Sequence, residues 1–325
     1  MLSGIIPILF TPFRPDGSID EPGLRRIARF ERDGGVQGLG INGFASEAYK
    51  LSEEERWRAA QIVADEMSGA IPLVIGIAPN STRQAIAEAK RYAALEPAVL
   101  MTLPPHTMSF GAKSIQEHYL ALADQSAIPI MLQQAPQIPA YRHAAMTADE
   151  LAELALAASN LRHFKIEGPG SATMIRELKQ RLPAEHATSS PYAFFGGGGG
   201  ITVLDEWRAG ADGLIPGVGF NDAFLKAWED WQRGDAEAAV ATLQRIQPLI
   251  DAVSGAGHEH SVQLRKLIMR DAGYIDHAGL RAPVAPPTIR DYWQPLDLQQ
   301  DPTELYALIR SLDLRVARNS AIELK

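Results

Sequence analysis

The stretch Arg162-His163-Phe164-Lys165-Ile166-Glu167-Gly168-Pro169-Gly170 contains the local pattern that decides the fold of this chain. An apolar run ends in a lysine, a carboxylate and two glycines just before a predicted helix, which is how a strand–turn–helix unit begins. Units of this kind, repeated along a chain, build a parallel sheet. The stretch therefore predicts one βα unit of an α/β protein.

The same unit recurs on both sides of this stretch. Short β-branched or apolar runs alternate with amphipathic stretches from the first residues to about Trp231. About eight units in roughly 230 residues favour a closed (β/α)8 barrel, the TIM barrel, over an open sheet. Capping-box patterns predict helix starts at Ser52–Glu55 and Thr147–Glu150, and Asn80 or Ser81 could cap another helix. The predicted strands are Ile5–Leu9, Val36–Ile41, Leu73–Ile77, Ala98–Thr102, Ile128–Gln133, Arg162–Ile166, Glu185–Ser189 and Gly213–Pro216.

From residue 233 onward the sequence changes character, because the strand pattern disappears. Helices are predicted at Asp235–Ser254, Ser261–Ala272 and Pro302–Leu312, with a proline-rich run from Pro283 to Pro287 before the last of them. We therefore predict a catalytic barrel domain at 1–232 and a C-terminal helical extension at 233–325 that packs on it.

Composition excludes several classes of protein. The net charge is −8 and the pI is about 5.5, and no lysine- and arginine-rich stripe could neutralise nucleic-acid phosphates or bind an anionic membrane. The chain has no cysteine, so disulfides, thiolate metal sites and cysteine nucleophiles are excluded. The apolar stretch Met1–Phe10 lacks a basic leader and is too short for a signal peptide or a membrane span. The cytoplasm is the expected location.

The candidate chemistry lies at the predicted strand ends, where barrel enzymes place their functional side chains. A lysine at the carboxyl end of an inward-facing strand is surrounded by apolar side chains, and burial favours the neutral amine that forms a Schiff base. Alternation along the strand puts His163, Lys165 and Glu167 on one side, with about 6–7 Å between successive members. Taken alone, Lys165 could equally cap a strand at the surface, and Glu167 could simply favour the start of the next helix.

Three other strand ends add candidates. Phe44, Ala45 and Ser46 follow the second strand, and Gln133 ends the fifth. The glycine run that starts with Gly196 and Gly197 comes after the seventh, where barrels often bind phosphate. Its N–H groups could hold a phosphate or sugar hydroxyls, or the run could be a flexible lid.

Two further motifs suggest cofactors and are better explained otherwise. The run Gly38–Gly43 fits the GxGxxG nucleotide pattern, but it overlaps a strand end and leads into the loop at Phe44. His258-Glu259-His260 could suggest a metal, but it has no obvious third ligand and suits a solvated helix start. We therefore expect neither a metal nor an organic cofactor.

In order and spacing, these motifs resemble the pyruvate-dependent class I Schiff-base lyases, the family that includes dihydrodipicolinate synthase and N-acetylneuraminate lyase. Gly4–Asp20 is similar to the family's opening strand and turn, and Gly43–Glu47 occupies the place of its Gly-Thr-Thr-Gly-Glu carboxylate-binding loop. Leu103–His106 stands for its Pro-Pro-Tyr turn, and Lys165 for its imine-forming lysine. The resemblance covers the whole chain and implies a barrel lyase that acts on a small 2-keto acid, commonly as a homo-tetramer.

The departures from the family pattern narrow the activity. Phe44 and Ala45 replace two threonines, so backbone N–H groups and the Ser46 hydroxyl would have to bind the substrate carboxylate. Gln133 replaces a tyrosine that relays protons, which an amide cannot do near neutral pH. His106 replaces an aromatic residue that in relatives reaches across a subunit boundary. The stretches Phe44–Glu47, Ile128–Pro136 and Phe164–Glu167 look most like the 2-keto-3-deoxy-L-arabonate dehydratase branch.

That resemblance implies dehydration of a 2-keto-3-deoxy sugar acid through an imine on Lys165. The catalytic candidates are Lys165, Glu167 and Gln133, and the substrate-binding candidates are Phe44, Ala45, Ser46, Gly196 and Gly197. Aldol cleavage to pyruvate and an aldehyde is the first alternative, and dihydrodipicolinate synthesis is the next. A different class is a catalytically silent barrel that binds a keto acid, which the missing threonines and tyrosine suggest.

Overall fold

The computed structural model describes residues 1–183, 191–255, 257–284 and 303–318. Strands and helices alternate along the chain as far as α8. The strands are β1 Gly4–Ile5, β2 Leu39–Ile41, β3 Leu73–Ile77, β4 Val99–Thr102, β5 Ile130–Gln134, β6 Leu161–Ile166, β7 Ala193–Gly196 and β8 Gly213–Leu214. The helices are α1 Glu21–Asp33, α2 Glu53–Met67, α3 Thr82–Tyr92, α4 Ala112–Gln125, α5 Ala148–Ala157, α6 Ser171–Arg181, α7 Val203–Arg208, α8 Asn221–Gln232, α9 Ala236–Ser254, α10 His258–Asp271 and α11 Thr303–Ser311.

This order confirms the predicted (β/α)8 fold with a helical extension. Eight strand–helix units are followed, within the described ranges, by helices α9–α11 and no further strand. The domain boundary at residue 232 stays a prediction. Among the described residues, we find no helix with the length and apolar character that a membrane crossing needs.

The predicted helix starts are confirmed at the level of single hydrogen bonds. Ser52 and Glu55 form a reciprocal capping box at α2, and Thr147 and Glu150 form another at α5. Ser81 caps α3 by accepting a hydrogen bond from the Gln84 N–H. Each cap satisfies N–H groups that have no partner inside the helix, which is typically worth about 1 kcal/mol.

The described residues form two compact units. The first unit, residues 1–3, 72–198 and 202–215, contains β3–β8 and α3–α7. Within it each strand pairs in parallel with the next, from β3 to β8. The register places Gln133 beside Lys165, and Lys165 beside Phe195. Polar residues near the ends of β5 and β6 are therefore neighbours.

The second unit contains β1, β2, α1, α2 and α8–α11, from residues 4–71, 199–201 and 216–325. Ile8 forms parallel bridges to both Gly40 and Gly217, so the segment after β1 lies between the segments that contain these two glycines. Helix α8 packs on β1 and on α9. The first helix of the extension is thereby joined to the last helix of the strand–helix series.

The seventh strand lies later in the chain than the sequence predicts. The predicted strand Glu185–Ser189 is outside the described residues, and the strand that pairs with β6 and β8 is Ala193–Gly196. The run Ala193–Gly196 is short and ends in glycine, which is depleted in strands, so the sequence pattern alone does not identify it as a strand. Gly196 is therefore the last residue of a strand, and Gly197 begins the loop after it.

Candidate functional site

Lys165 and Glu167 form a buried ion pair at the carboxyl end of β6. Lys165 is 4% exposed, and its Nζ atom lies 3.2 Å from Oε1 of Glu167. Glu167 comes directly after the strand and is also buried. Alternation along β6 puts both side chains on one face, as the sequence predicts.

The Glu167 carboxylate is held by groups from β5 and from the segment after β7. Oε2 accepts a hydrogen bond of 2.6 Å from Nε2 of Gln133, and Oε1 accepts one of 3.0 Å from the N–H of Gly198. Burial by itself would raise the pKa of Glu167, but the Lys165 ammonium and these hydrogen bonds outweigh it and lower the pKa. Glu167 is therefore an ionised carboxylate beside the amine.

Gln133 and its neighbour Gln134 make different contacts. The Gln133 amide group donates to Glu167, and its buried Oε1 has no hydrogen-bond partner among the described residues. Gln134 donates to the Met146 carbonyl and accepts from the Met146 N–H, at 3.0 and 2.8 Å, just before α5. Gln133 therefore belongs to the lysine site, whereas Gln134 joins the end of β5 to the segment before α5.

His163 shares the inward face of β6 but makes no hydrogen bond to Lys165 or Glu167. It is buried, and within the described ranges neither ring nitrogen has a partner. Burial lowers the pKa of His163 to about 4, so its ring is neutral at neutral pH. It lines the interior beside the strand and adds no charge to the site.

The glycines after β7 have a steric reason to be there. A Cβ atom on Gly197 would lie 2.3 Å from Oε1 of Glu167, which is far inside contact distance. Gly198, with φ of 57°, donates the backbone hydrogen bond to the same oxygen. The sequence motivates the choice of Gly197, but it does not single out Gly198, because that contact depends on the register of β7.

Phe44, Ala45 and Ser46 belong to the second unit, where they form one 3₁₀ turn after β2. Ser46 is fully buried, and its hydroxyl donates a hydrogen bond of 2.6 Å to the Leu9 carbonyl. The Thr11 hydroxyl donates in turn to the Ser46 carbonyl, at 2.7 Å. The hydroxyl that sequence analysis offers to a substrate carboxylate thus gives its hydrogen to the protein backbone.

A buried charge cluster fixes the end of this turn. Glu47 has φ of 53° and accepts hydrogen bonds from Lys266 at 2.5 Å, from Lys50 at 3.3 Å and from the Arg281 N–H at 3.1 Å. Burial lowers the pKa of Lys266 to about 8, while Glu47 acts in the opposite direction. No local sequence pattern indicates this cluster, because Lys266 and Arg281 lie more than two hundred residues from Glu47 along the chain.

The described residues contain no group of three histidine, aspartate or glutamate side chains that could hold a metal ion. His258, Glu259 and His260 form the first turn of α10. The His258 ring lies 5.9 Å from the ring of Phe44, so it packs beside the turn after β2.

Comparison with known proteins places this chain in a family. Residues 1–294 match the model of the dihydrodipicolinate synthetase family. L-2-keto-3-deoxyarabonate dehydratase of Azospirillum brasilense is 31% identical over 97% of this chain and 96% of its own length. A 4-hydroxy-tetrahydrodipicolinate synthase of Stenotrophomonas maltophilia is 32% identical over 88% of this chain and 91% of its own.

Solved structures agree on the fold. A prophage protein of the dihydrodipicolinic acid synthase family from E. coli K12, solved in complex with pyruvate, superposes with a TM-score of 0.82 at 22% identity, covering 97% of this chain and 99% of its own. The 4-hydroxy-tetrahydrodipicolinate synthase of Methylacidiphilum fumariolicum SolV gives 0.81 at 21% identity, covering 96% and 99%. With the family model spanning the strand–helix units and most of the extension, this chain belongs to the dihydrodipicolinate synthetase family of lyases.

Proposed function

We propose that this lyase dehydrates a 2-keto-3-deoxy sugar acid, with 2-keto-3-deoxy-L-arabonate as the first substrate to test, through an imine on Lys165. The observation that carries the proposal is the buried Lys165–Glu167 pair, in which an amide, Gln133, holds the carboxylate. The match to an L-2-keto-3-deoxyarabonate dehydratase over nearly the whole chain supports this substrate class.

The first stage is imine formation. Lys165 reaches the neutral form by passing a proton to Glu167, whose Oε1 is 3.2 Å from Nζ. The amine then attacks the C2 ketone, and the ketone oxygen leaves as water with the proton that Glu167 took from Lys165, so Glu167 is ionised again. Because the resulting iminium draws electrons from C3, a C3 proton becomes acidic. Burial protects this intermediate from bulk water.

The second stage is loss of the C4 hydroxyl. Glu167, again ionised, takes the C3 proton and gives an enamine on Lys165. The enamine expels the C4 hydroxyl, which leaves as water with the proton that Glu167 returns. One C–H and one C–O bond break, one C–C double bond forms, and hydrolysis of the imine frees the lysine. The net reaction removes one water and keeps all carbon atoms of the substrate.

Gln133 favours dehydration over aldol cleavage. Cleavage needs a base on the C4 hydroxyl, whereas dehydration needs an acid there, and Glu167 becomes that acid when it takes the C3 proton. The Gln133 amide cannot relay a proton, but its unpartnered Oε1 can accept a hydrogen bond from a substrate hydroxyl. We assign sugar hydroxyls to the backbone at Gly196 and Gly197, and the role of Phe44, Ala45 and Ser46 in binding the substrate carboxylate stays a prediction from the sequence.

The test is product analysis after incubation with 2-keto-3-deoxy-L-arabonate. Dehydration predicts a product that is lighter by one water and retains every carbon, with no pyruvate. Pyruvate and a two-carbon aldehyde would establish aldol cleavage instead. Tight binding without turnover, unchanged in Lys165→Ala, would identify a keto-acid-binding barrel. Lys226→Ala, which removes a mostly exposed lysine, is the matched control for any general effect of losing an amine.

We also infer that the chain is a cytoplasmic homo-oligomer, a tetramer if it follows the family. In the loop after β4, Met108 is 67% exposed and Phe110 is 37% exposed, close in sequence to His106. The His106 ring packs on Tyr141 of the same chain, with centroids 5.2 Å apart. Light scattering tests the assembly, and Met108→Glu should shift it towards smaller species.

A further inference from the structure

A second buried carboxyl group, Glu206, lies next to the glycines that hold Glu167. Glu206 is on α7 and is 1% exposed. Its Oε1 accepts hydrogen bonds from the Ser171 hydroxyl at 2.7 Å and from the Thr202 hydroxyl at 2.8 Å. Its Oε2 is buried and has no hydrogen-bond partner among the described residues. Ionising a carboxyl group that has one buried oxygen without a hydrogen-bond donor costs free energy, so the uncharged form of Glu206 is favoured.

Two consecutive glycines separate Glu206 from Glu167. A Cβ atom on Gly196 would lie 1.7 Å from Oε2 of Glu206, and one on Gly197 would lie 2.3 Å from Oε1 of Glu167. Each glycine is thus in close contact with a different carboxyl group. Because the Gly198 N–H is bonded to Glu167, any displacement of this backbone by Glu206 changes how Glu167 is held.

A second connection runs through the segment before α6. Ser171, which donates to Glu206, is the first residue of α6 and follows Glu167 after a short turn. The Ser171 N–H also donates a hydrogen bond of 3.1 Å to the Gly168 carbonyl. Glu206 therefore supports the surroundings of Glu167 both through Ser171 and through Gly196.

We propose that Glu206 is a positioning residue of the lysine site, whose uncharged carboxyl group supports the Gly196–Gly198 backbone and whose ionisation turns the site off. This inference rests on the proposed function, because it requires Glu167 to carry protons at Lys165. Glu206 itself touches no reacting atom in the scheme and acts through Glu167.

The electrostatics agree with this geometry. Burial raises the pKa of Glu206 to about 7, while the two hydroxyl hydrogen bonds act in the opposite direction. The charged groups that face it are Glu167, from the end of β6, and Asp205, its neighbour on α7, and both raise its pKa further. Ionisation adds a negative charge near Glu167, which stabilises the Lys165 ammonium and makes Glu167 more easily protonated. The stabilised ammonium opposes the loss of the Lys165 proton that imine formation needs, and we expect this effect to outweigh the greater basicity of Glu167.

The test is the pH dependence of turnover and of the borohydride-trapped pyruvate adduct. In the wild type, both should fall about tenfold per pH unit once pH rises above the ionisation of Glu206. Glu206→Gln keeps the shape of the uncharged group and should lose this fall. Ser171→Ala removes a donor to the charged form, so the fall should move to higher pH. Asp205→Asn, on the same helix, removes a charge that raises the pKa of Glu206, so the fall should move to lower pH.

A Glu206→Gln profile that falls at the same pH as the wild type would overturn the inference, as would equal loss of activity at every pH. If Glu206→Gln does not fold, the upward shift in Ser171→Ala decides the question, and an unshifted profile contradicts the inference.

Failure of the imine proposal would look different, because the wild type would then form no adduct at any pH. Ionisation of Glu206 would still be visible in infrared difference spectra as a protonated-carboxyl band that disappears across neutral pH. The band should be missing in Glu206→Gln, and a band of unchanged size there would count against the inference. Burial also raises the pKa of Glu31 to about 7, so its carboxyl band would overlap with that of Glu206. Both proteins therefore carry Glu31→Gln in this experiment.

Discussion

At the scale of single residues, the site depends on which face of a strand each side chain occupies. Sequence alternation is enough to predict that Lys165 and Glu167 lie together, because the period of a strand is fixed. The 2.6 Å contact from Gln133 to Glu167 also follows once β5 and β6 pair in the observed register. Glu206 could not be predicted in this way, because its partners come from α6 and from the segment after β7.

Gln133 and Gln134 allow a paired test of this residue-scale account. Gln133→Ala removes a hydrogen bond from the buried Glu167 carboxylate, which should cost about 1–3 kcal/mol of stability, and we expect turnover of the folded enzyme to fall about 10²-fold. Gln134→Ala leaves the Met146 N–H and carbonyl without their side-chain partners, and should cost about 1–3 kcal/mol of stability with turnover largely kept. Steady-state kinetics and denaturant unfolding measure the two effects.

Each variant is the control for the other. Equal loss of turnover in both, after correction for the folded fraction, would mean that Gln133 has no special relation to Glu167.

At the scale of elements, the sequence predicts local features such as helix caps well, but it does not predict which strand residues pair with each other. The capping boxes of α2 and α5 involve residues only three apart, so their pattern is complete in the sequence. The sequence predicts the seventh strand at Glu185–Ser189, whereas β7 is the later run Ala193–Gly196. This run is short and ends in glycine, and it is identified as a strand by its pairing with β6 and β8. The function of the glycines after it was therefore only partly predictable.

Gly197→Ala tests the loop after β7. Its Cβ would meet Oε1 and Cγ of Glu167 at 2.3 and 2.6 Å, so the carboxylate must move from its position beside Lys165. We expect a loss of turnover of at least about 10²-fold, because misplacement by about 1 Å has costs of this size. Gly111→Ala, where a Cβ meets nothing within 4 Å, is the matched control and should keep its turnover. Full activity in Gly197→Ala would contradict the placement of Glu167.

At the scale of the whole molecule, stability depends on contacts that no local pattern reveals. Glu31 on α1 is 1% exposed and accepts hydrogen bonds from the Gly219 N–H and the Asn221 amide, both at 3.0 Å. Lys266 and Arg281 reach Glu47 from distant parts of the chain. The fold class can be predicted because the strand–helix repeat is periodic, whereas these buried charges depend on the folded arrangement of each unit.

Glu31 predicts a pH-dependent contribution to stability. Burial raises its pKa from 4.5 to about 7, so the folded chain holds this proton more tightly than the unfolded chain. The contribution is fully present below pH 4.5 and is lost as pH rises through about 7. Glu31→Gln, whose oxygen can still accept both hydrogen bonds, should gain up to about 3 kcal/mol relative to the wild type between acidic and alkaline pH.

Denaturant unfolding of both proteins across this pH range measures the difference. Glu237→Gln, at an exposed position on α9, is the control and should show no such trend. A constant difference between Glu31→Gln and the wild type would mean that Glu31 ionises normally in the folded chain.

The most direct test of the central claim is to locate the imine. Borohydride reduction in the presence of pyruvate or 2-keto-3-deoxy-L-arabonate, followed by peptide mass mapping, identifies the lysine that carries the adduct. Among the described residues, three lysines have side chains that are at most 6% exposed: Lys165 beside Glu167, and Lys50 and Lys266 beside Glu47. We predict a single adduct on Lys165 that is absent from Lys165→Ala. An adduct on Lys50 or Lys266, or none with either ligand, would contradict the Schiff-base lyase account.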